Sequence, residues 1–127
     1  MDKKIRPTKK CITMTKELII NKLNDKFKLN LNSSNTNLSN INANGIWSME
    51  PNFKRSTDKL YLVLNNNISK KAHVFEIPAN HSIYERLYKR NDRPVFRLLF
   101  NVSDTEFIEN LKYINFINFY KGFIEYD

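Results

Sequence analysis

The sequence predicts a single α+β domain, with a mainly antiparallel, curved sheet or a small open barrel flanked by two or three helices. Apolar residues recur at helical spacing over residues 16–28. Over residues 60–64 and 73–77 they alternate with period two, as in the strands of a hairpin. The chain has 127 residues, and 41% of them are hydrophobic, which is enough to form one core. A chain of this length is too short for two ordinary domains.

The first 44 residues fall into three segments. Residues 1–14 are basic and weakly periodic, and we expect a basic arm. Residues 16–28 are predicted to form an amphipathic helix with Thr15 as its N-cap, because an apolar stripe repeats at helical spacing. That stripe consists of Leu18, Ile19, Leu23 and Phe27. Residues 30–44 are rich in Asn and low in complexity, which predicts a long loop.

Residues 45–127 are predicted to form a sheet-rich core with two short helices. A short strand at residues 46–49 precedes a hairpin at residues 60–77, whose tip carries Lys70 and Lys71. We therefore expect two antiparallel strands that end in a basic tip.

A further strand is predicted at residues 96–100, because apolar and charged side chains alternate there. Phe96, Leu98 and Phe100 would face the core, and Arg97 would face solvent. The apolar stretch at the end of the sequence is expected to close the core as a strand or a short helix.

Two capping boxes, Ser82-x-x-Glu85 and Ser103-x-x-Glu106, predict where the two short helices begin. In the first helix, positions about 100° apart would separate an apolar arc from a basic arc. The apolar arc contains Ile83, Tyr84, Leu87 and Tyr88, and the solvent side contains Glu85, Arg86, Lys89 and Arg90. The basic residues would thus lie together on the solvent face.

Several classes of protein are excluded by residue counts. Only Gly45 and Gly122 are glycines, so the glycine-rich phosphate loops of Walker-type and Rossmann-type nucleotide sites cannot form. Cys11 is the only cysteine, which excludes an intrachain disulfide and favours a reducing compartment. No run of about eighteen apolar residues is present, so we expect a cytoplasmic protein that does not span a membrane.

Catalytic and metal sites find little support in the sequence. His73 and His81 have no His, Cys or carboxylate partners at metal-ligand spacing. Neither glycine flanks a serine in the manner of a nucleophile elbow. We therefore expect no catalytic residues, no metal and no cofactor.

The net charge of +8 predicts a polyanionic partner, since Lys and Arg that neutralise phosphates release condensed counterions. We expect a module that binds DNA or RNA through a basic face, with Trp47 or the hairpin tip contacting bases. Trp47 also suits a core anchor, and Phe53 and Tyr61 are further candidates for stacking. The predicted phosphate-binding residues are Lys54, Arg55, Lys70, Lys71, Arg86, Lys89, Arg90, Arg93 and Arg97.

Two alternatives of other classes remain open at this point. A small metal-free ribonuclease would need a base and an arginine that stabilises the charged phosphorane. The residues that offer these groups are His81, Arg86, Tyr88, Lys89 and Arg90. An inhibitor or adaptor would instead use the positive charge to dock on an acidic protein partner. The oligomeric state is not predicted by any of these patterns.

Overall fold

Two β-sheets lie face to face, and a single α-helix covers the outer side of one of them within residues 14–127, which the computed structural model describes. The helix α1 spans Lys16–Phe27. The nine strands are β1 (Thr36–Asn40), β2 (Ile46–Met49), β3 (Leu60–Asn66), β4 (Lys71–Ile77), β5 (Tyr88–Lys89), β6 (Phe96–Asn101), β7 (Ile108–Glu109), β8 (Ile114–Asn115) and β9 (Tyr120–Glu125). Sheet I has the order β1-β3-β4-β9, and sheet II has the order β2-β6-β7-β8 with β5 paired to β6.

The prediction of one small α+β domain is confirmed, with two differences. Among the described residues there is one α-helix rather than two or three, and the strands form two separate sheets that do not close into a barrel. Pairing is antiparallel except between β1 and β3, which run parallel. The basic arm predicted for residues 1–14 lies, apart from Met14, outside the described part of the chain.

Helix α1 forms where predicted and uses the predicted cap, but Leu18 of its apolar stripe is 40% exposed. The Thr15 hydroxyl accepts the backbone N–H of Leu18 at 3.2 Å, and Ile19 and Leu23 are buried against the outer face of sheet I. The C-terminal end of α1 packs closely on β9. At Gly122 (φ 136°) an added Cβ would lie 2.6 Å from Cζ of Phe27, so only glycine fits there.

The loop predicted at residues 30–44 is partly wrong, because β1 lies within it. Thr36 and Ser39 are buried, and β1 pairs with β3 from Thr36 opposite Tyr61 to Asn40 opposite Asn65. The Ser39 hydroxyl also accepts the N–H of Ser48, which connects β1 to β2. Asparagine and serine disfavour strands on their own, so β1 depends on β3 as a partner.

The predicted strand at residues 46–49 and the hairpin of β3 and β4 are confirmed. Both faces of β3 are buried, since one faces sheet II and the other faces α1. Asn65 and Asn66 belong to β3, and the tip is limited to residues 67–70. Strand β6 also follows its prediction, with Phe96, Leu98 and Phe100 buried.

The two helices predicted from capping boxes are wrong. Residues Ser82–Glu85 form a single 3₁₀ turn, and its cap is His81, whose Nδ1 accepts the N–H of Ile83 at 3.0 Å. The chain then extends into β5, so Tyr88 is exposed rather than in the core. The Ser103 hydroxyl does accept backbone N–H groups, but no helix follows it.

A buried carboxylate connects two parts of sheet II through hydrogen bonds. Glu109 on β7 is fully buried, and its two oxygens accept the N–H groups of Leu99 (2.9 Å), Leu111 (3.1 Å) and Lys112 (2.8 Å). These bonds offset the cost of burying a charge and bind β6 to the turn after β7.

Candidate nucleic-acid interface

Several of the predicted cations lie where the chain leaves β2 and enters β6. The carbonyl oxygen of Pro51 accepts the N–H of Phe96, and Phe53 donates its N–H to Pro94, both at 2.9 Å. An isolated bridge between Asn52 and Val95 lies between these bonds. The segment after β2 is thereby held beside the segment before β6.

Three arginines surround Glu50 at this junction, and we call Arg90, Arg93, Arg97 and Glu50 the arginine cluster. Arg90 donates from NH1 to Oε2 of Glu50 at 2.7 Å. Arg93 and Arg97 approach the same carboxylate at 3.8 and 3.9 Å, and they are 59% and 46% exposed. The two exposed guanidinium groups therefore keep donors that point to solvent.

Arg90 differs from its two neighbours because it is held by two carboxylates. Its Nε and NH2 donate to Asp92 at 2.8 and 2.7 Å, in addition to the bond to Glu50. The hydrogen bonds to Asp92 and Glu50 raise the pKa of Arg90, and the bond from Arg90 lowers the pKa of Asp92. Three positive and two negative charges leave this site with a net charge of +1.

An exposed aromatic ring adjoins the arginine cluster. Tyr88 on β5 is directly opposite Arg97 on β6, and the two side chains therefore share one face of the pair. Tyr88 is 40% exposed. The combination of a cation and an exposed ring matches what single-stranded nucleic acids contact, namely phosphates and base faces. The sequence placed Tyr88 in a helix core, so only the β5–β6 register reveals this role.

Three of the other predicted cations are placed near the cluster, but two of them are used by the fold. Lys89 donates to the carbonyl oxygens of Tyr84 (3.1 Å) and Glu85 (3.4 Å) and lies over the Phe96 ring. Arg55 donates to backbone carbonyls of Ser33 and Ser34 before β1. Lys54 is exposed in the same 3₁₀ turn, Phe53–Thr57.

Lys70 and Lys71 lie at the other end of the sheets. Asn66 pairs with Lys71 at the hairpin tip, and Leu60 pairs with Ile77 at the opposite end, about 20 Å away for strands of this length. Trp47, near the start of β2, donates a hydrogen bond to Asn65, so the start of β2 lies near the tip end of sheet I. Glu50 follows the other end of β2 and therefore lies away from the tip. The expected single basic face is thus divided.

The aromatic contact predicted for Trp47 is wrong. The ring is 0% exposed, and Nε1 donates to the carbonyl oxygen of Asn65 at 2.9 Å, so no face is available to a base. Its alternative role as a core anchor is confirmed. Tyr61 is also buried, and Phe53 is half-buried against Phe96 at 4.8 Å between ring centroids.

A buried polar cluster beneath the hairpin tip was not predicted. His73 is fully buried, with Nε2 2.8 Å from Oδ1 of Asp104 and Nδ1 2.8 Å from the Tyr120 hydroxyl. Burial lowers the pKa of His73, and burial raises that of Tyr120 to about 12. Burial would raise the pKa of Asp104, but bonds from His73, Ser69 and Asn66 lower it.

The order Tyr120–His73–Asp104 resembles a proton relay, yet its geometry is that of a structural network. A neutral His73 donates from Nε2 to Asp104 and accepts the phenol proton at Nδ1. With its pKa raised to about 12, the Tyr120 hydroxyl stays protonated and is a poor nucleophile. The sequence placed His73 in the hairpin but could not reveal its partners, because Tyr120 and Asp104 lie 47 and 31 residues away.

The five residues suggested for metal-free RNA cleavage do not converge on one site. Arg90 belongs to the arginine cluster, and Lys89 is bonded to the backbone. His81 and Arg86 border a separate cleft. Among residues 14–127, no three His, Cys, Asp or Glu side chains gather in a way that could hold a metal ion.

Within the same part of the chain, no helix has the length and apolar character needed to cross a membrane. Comparison with protein-family models, curated proteins and solved structures finds no match for the chain.

Proposed function

We propose that the protein binds nucleic acid on the exposed face of the β5–β6 pair. Arg93 and Arg97 contact phosphates, and Tyr88 stacks on a base. The observation that carries the proposal is the cross-strand pair of Tyr88 and Arg97, which presents a ring and a guanidinium side by side to solvent. Arg90 is held by Glu50 and Asp92, and Glu50 is the carboxylate that the other two arginines approach.

The type of cation, rather than the net charge, favours a polyanion on this face over the tip end. Guanidinium groups form bidentate bonds with phosphate, whereas an ammonium group acts as a point charge. At the tip, Lys71 lies 5.2 Å over the Phe123 ring, and the same ring is 5.2 Å from Lys26. These lysines cover an aromatic side chain of the fold, so we assign them a structural role rather than a role in phosphate binding.

The test is a salt-titrated binding assay with fluorescent single-stranded and duplex oligonucleotides of DNA and of RNA. We expect affinity to fall steeply with salt, and the double variant Arg93→Gln/Arg97→Gln to reduce the slope of log K against log salt by about 1.4 on single strands. Lys16→Gln/Lys22→Gln, on exposed positions of α1, removes the same charge from the far layer and serves as the matched control.

A second pair of variants isolates the aromatic contact. Tyr88→Ala should weaken single-strand binding by about 1–3 kcal/mol, the usual contribution of one stacked base, while Tyr88→Phe keeps the ring and the affinity. Heparin is a polyanion without bases, so neither substitution should change the affinity of the protein for heparin. The proposal fails if the wild-type protein binds no oligonucleotide at low salt, or if the α1 control loses as much affinity as the arginine variant.

A further inference from the structure

The separate cleft that His81 and Arg86 border is rich in hydrogen-bond donors. It has a volume of about 350 Å³, within the range of small-ligand pockets, and lies between the turn after β4 and the segment around β8. The side chains that matter here are His81, Arg86, Ile114, Asn115, Asn118 and Phe119. Arg86 is exposed and separated by one residue from β5.

Local hydrogen bonds use acceptors of this cleft, and its donors have no partner among residues 14–127. Nδ1 of His81 accepts the N–H of Ile83, so the proton of the neutral ring is on Nε2. Oδ1 of Asn115 accepts the N–H of Ile117 at 3.0 Å, and its amide NH₂ is left to bind another acceptor. With the Arg86 guanidinium, these groups favour an anionic ligand rich in acceptors.

The opposite charge near the cleft is already paired. Glu76 borders it, but its carboxylate is 3.4 Å from Nζ of Lys59. One wall is apolar, because Phe119 and Ile114 contribute to it. The ring of Phe119 meets the His81 ring edge to face, with centroids 5.1 Å apart. A flat, partly apolar group therefore fits beside the anion.

We propose that this cleft binds one unpaired nucleotide, with its phosphate at Arg86 and its base against Phe119. The inference rests on the proposed function and specifies its substrate class as single-stranded nucleic acid. A base in a duplex is paired and stacked, and it cannot enter a cleft without leaving the helix. Arg86 and Tyr88 are two residues apart, so one strand can cross the face of the β5–β6 pair and place its next nucleotide in the cleft.

The test compares single strands and duplexes of equal length in Arg86→Gln and His81→Asn variants. Asparagine at position 81 keeps an acceptor for the N–H of Ile83, and its shorter side chain leaves no donor at the position of Nε2. We expect each variant to weaken single-strand binding about tenfold, the equivalent of one charge-assisted hydrogen bond, and to leave duplex binding unchanged. Equal losses on both forms, or no loss on either, would overturn the proposal.

A second measurement separates this inference from the proposed function. Adenosine 5′-monophosphate is titrated into ¹⁵N-labelled protein, with the amides of Asn118 and Phe119 as reporters. We expect both amides to shift in the wild type and not in Arg86→Gln, and Lys22→Gln to behave as wild type. Shifts without any oligonucleotide binding would support the cleft and refute the proposed function.

The reverse results refute the cleft alone. Oligonucleotide binding with no response of Asn118 and Phe119 to the mononucleotide would leave the proposed function standing and remove this inference. Inorganic phosphate that reproduces the mononucleotide shifts in full would show that no base is bound, which also overturns it.

Discussion

Replacing Glu50 with glutamine should strengthen nucleic-acid binding. Glu50 is the carboxylate that all three arginines of the cluster approach, at 2.7, 3.8 and 3.9 Å. It therefore competes with phosphate for the same guanidinium groups. In Glu50→Gln the amide keeps the shape of the side chain and one acceptor oxygen, and the net charge of the site, with Asp92, rises from +1 to +2.

The expected gain follows from counterion release. Each phosphate contact on a single strand contributes a slope of about −0.7 to log K against log salt, so one additional contact strengthens binding about fivefold at roughly 0.1 M salt. At roughly 0.5 M salt the same contact is worth less than twofold. The variant should thus have a steeper salt dependence than the wild type, and its advantage should nearly vanish at high salt.

The assay is fluorescence anisotropy with one single-stranded oligonucleotide over a range of salt concentrations. Glu17→Gln is the matched control, because Glu17 is exposed on α1 and its loss changes the net charge equally. Binding that weakens in Glu50→Gln, or that strengthens as much in Glu17→Gln, would show that the arginine cluster is not the contact site.

Two further predictions concern stability. Glu109→Ala leaves three backbone N–H groups without their acceptor and should lower the free energy of unfolding, measured with urea, by about 4 kcal/mol. Glu106 is exposed, so Glu106→Ala should change the free energy of unfolding little. Similar losses in the two variants would refute the role assigned to Glu109. Because burial lowers the pKa of His73, the unfolded chain binds the extra proton, so stability should fall as pH drops below about 6.5, by at most about 1.4 kcal/mol per pH unit. The pH dependence of unfolding should be flatter in His73→Gln, and equal slopes would assign the titration to another group.

The sequence predicted those elements whose pattern is local. Helix α1 and strand β6 each combine a clear period with a suitable boundary residue, and both form where expected. Strand β1 could not be predicted, because Thr-Asn-Leu-Ser-Asn has no alternating apolar residues and is stabilised by its parallel partner β3. Local patterns alone do not specify that pairing.

The region after Pro78 shows a different kind of ambiguity. Ile83, Tyr84 and Leu87 are buried in the structure, as a helix would also have buried them. The same spacing suits a 3₁₀ turn followed by an extended strand, and pairing of Tyr88 with Arg97 selects the second possibility. Sequence periodicity thus identified the core residues but not the backbone that positions them.

The candidate site could be predicted only in its residue types. Arg90, Arg93 and Arg97 were expected on the surface. Their convergence on Glu50 could not be predicted, because it depends on contacts between distant segments, with Arg90 and Glu50 40 residues apart. Lys70 and Lys71 were assigned to the same basic face as the arginines, because the charge of a residue does not show at which end of a sheet it lies. Trp47 was weighed for both roles, and burial decides between them.

The contact of α1 with β9 has a consequence for how the chain folds during synthesis. Nζ of Lys26 donates to the carbonyl oxygen of Phe123 across 97 residues, and Phe27 fills the space left by Gly122. The ribosome therefore produces the helix long before the strand that its C-terminal end contacts, and this contact can form only after β9 has been synthesised. We expect α1 to remain available to chaperones until β9 has emerged and paired with β4.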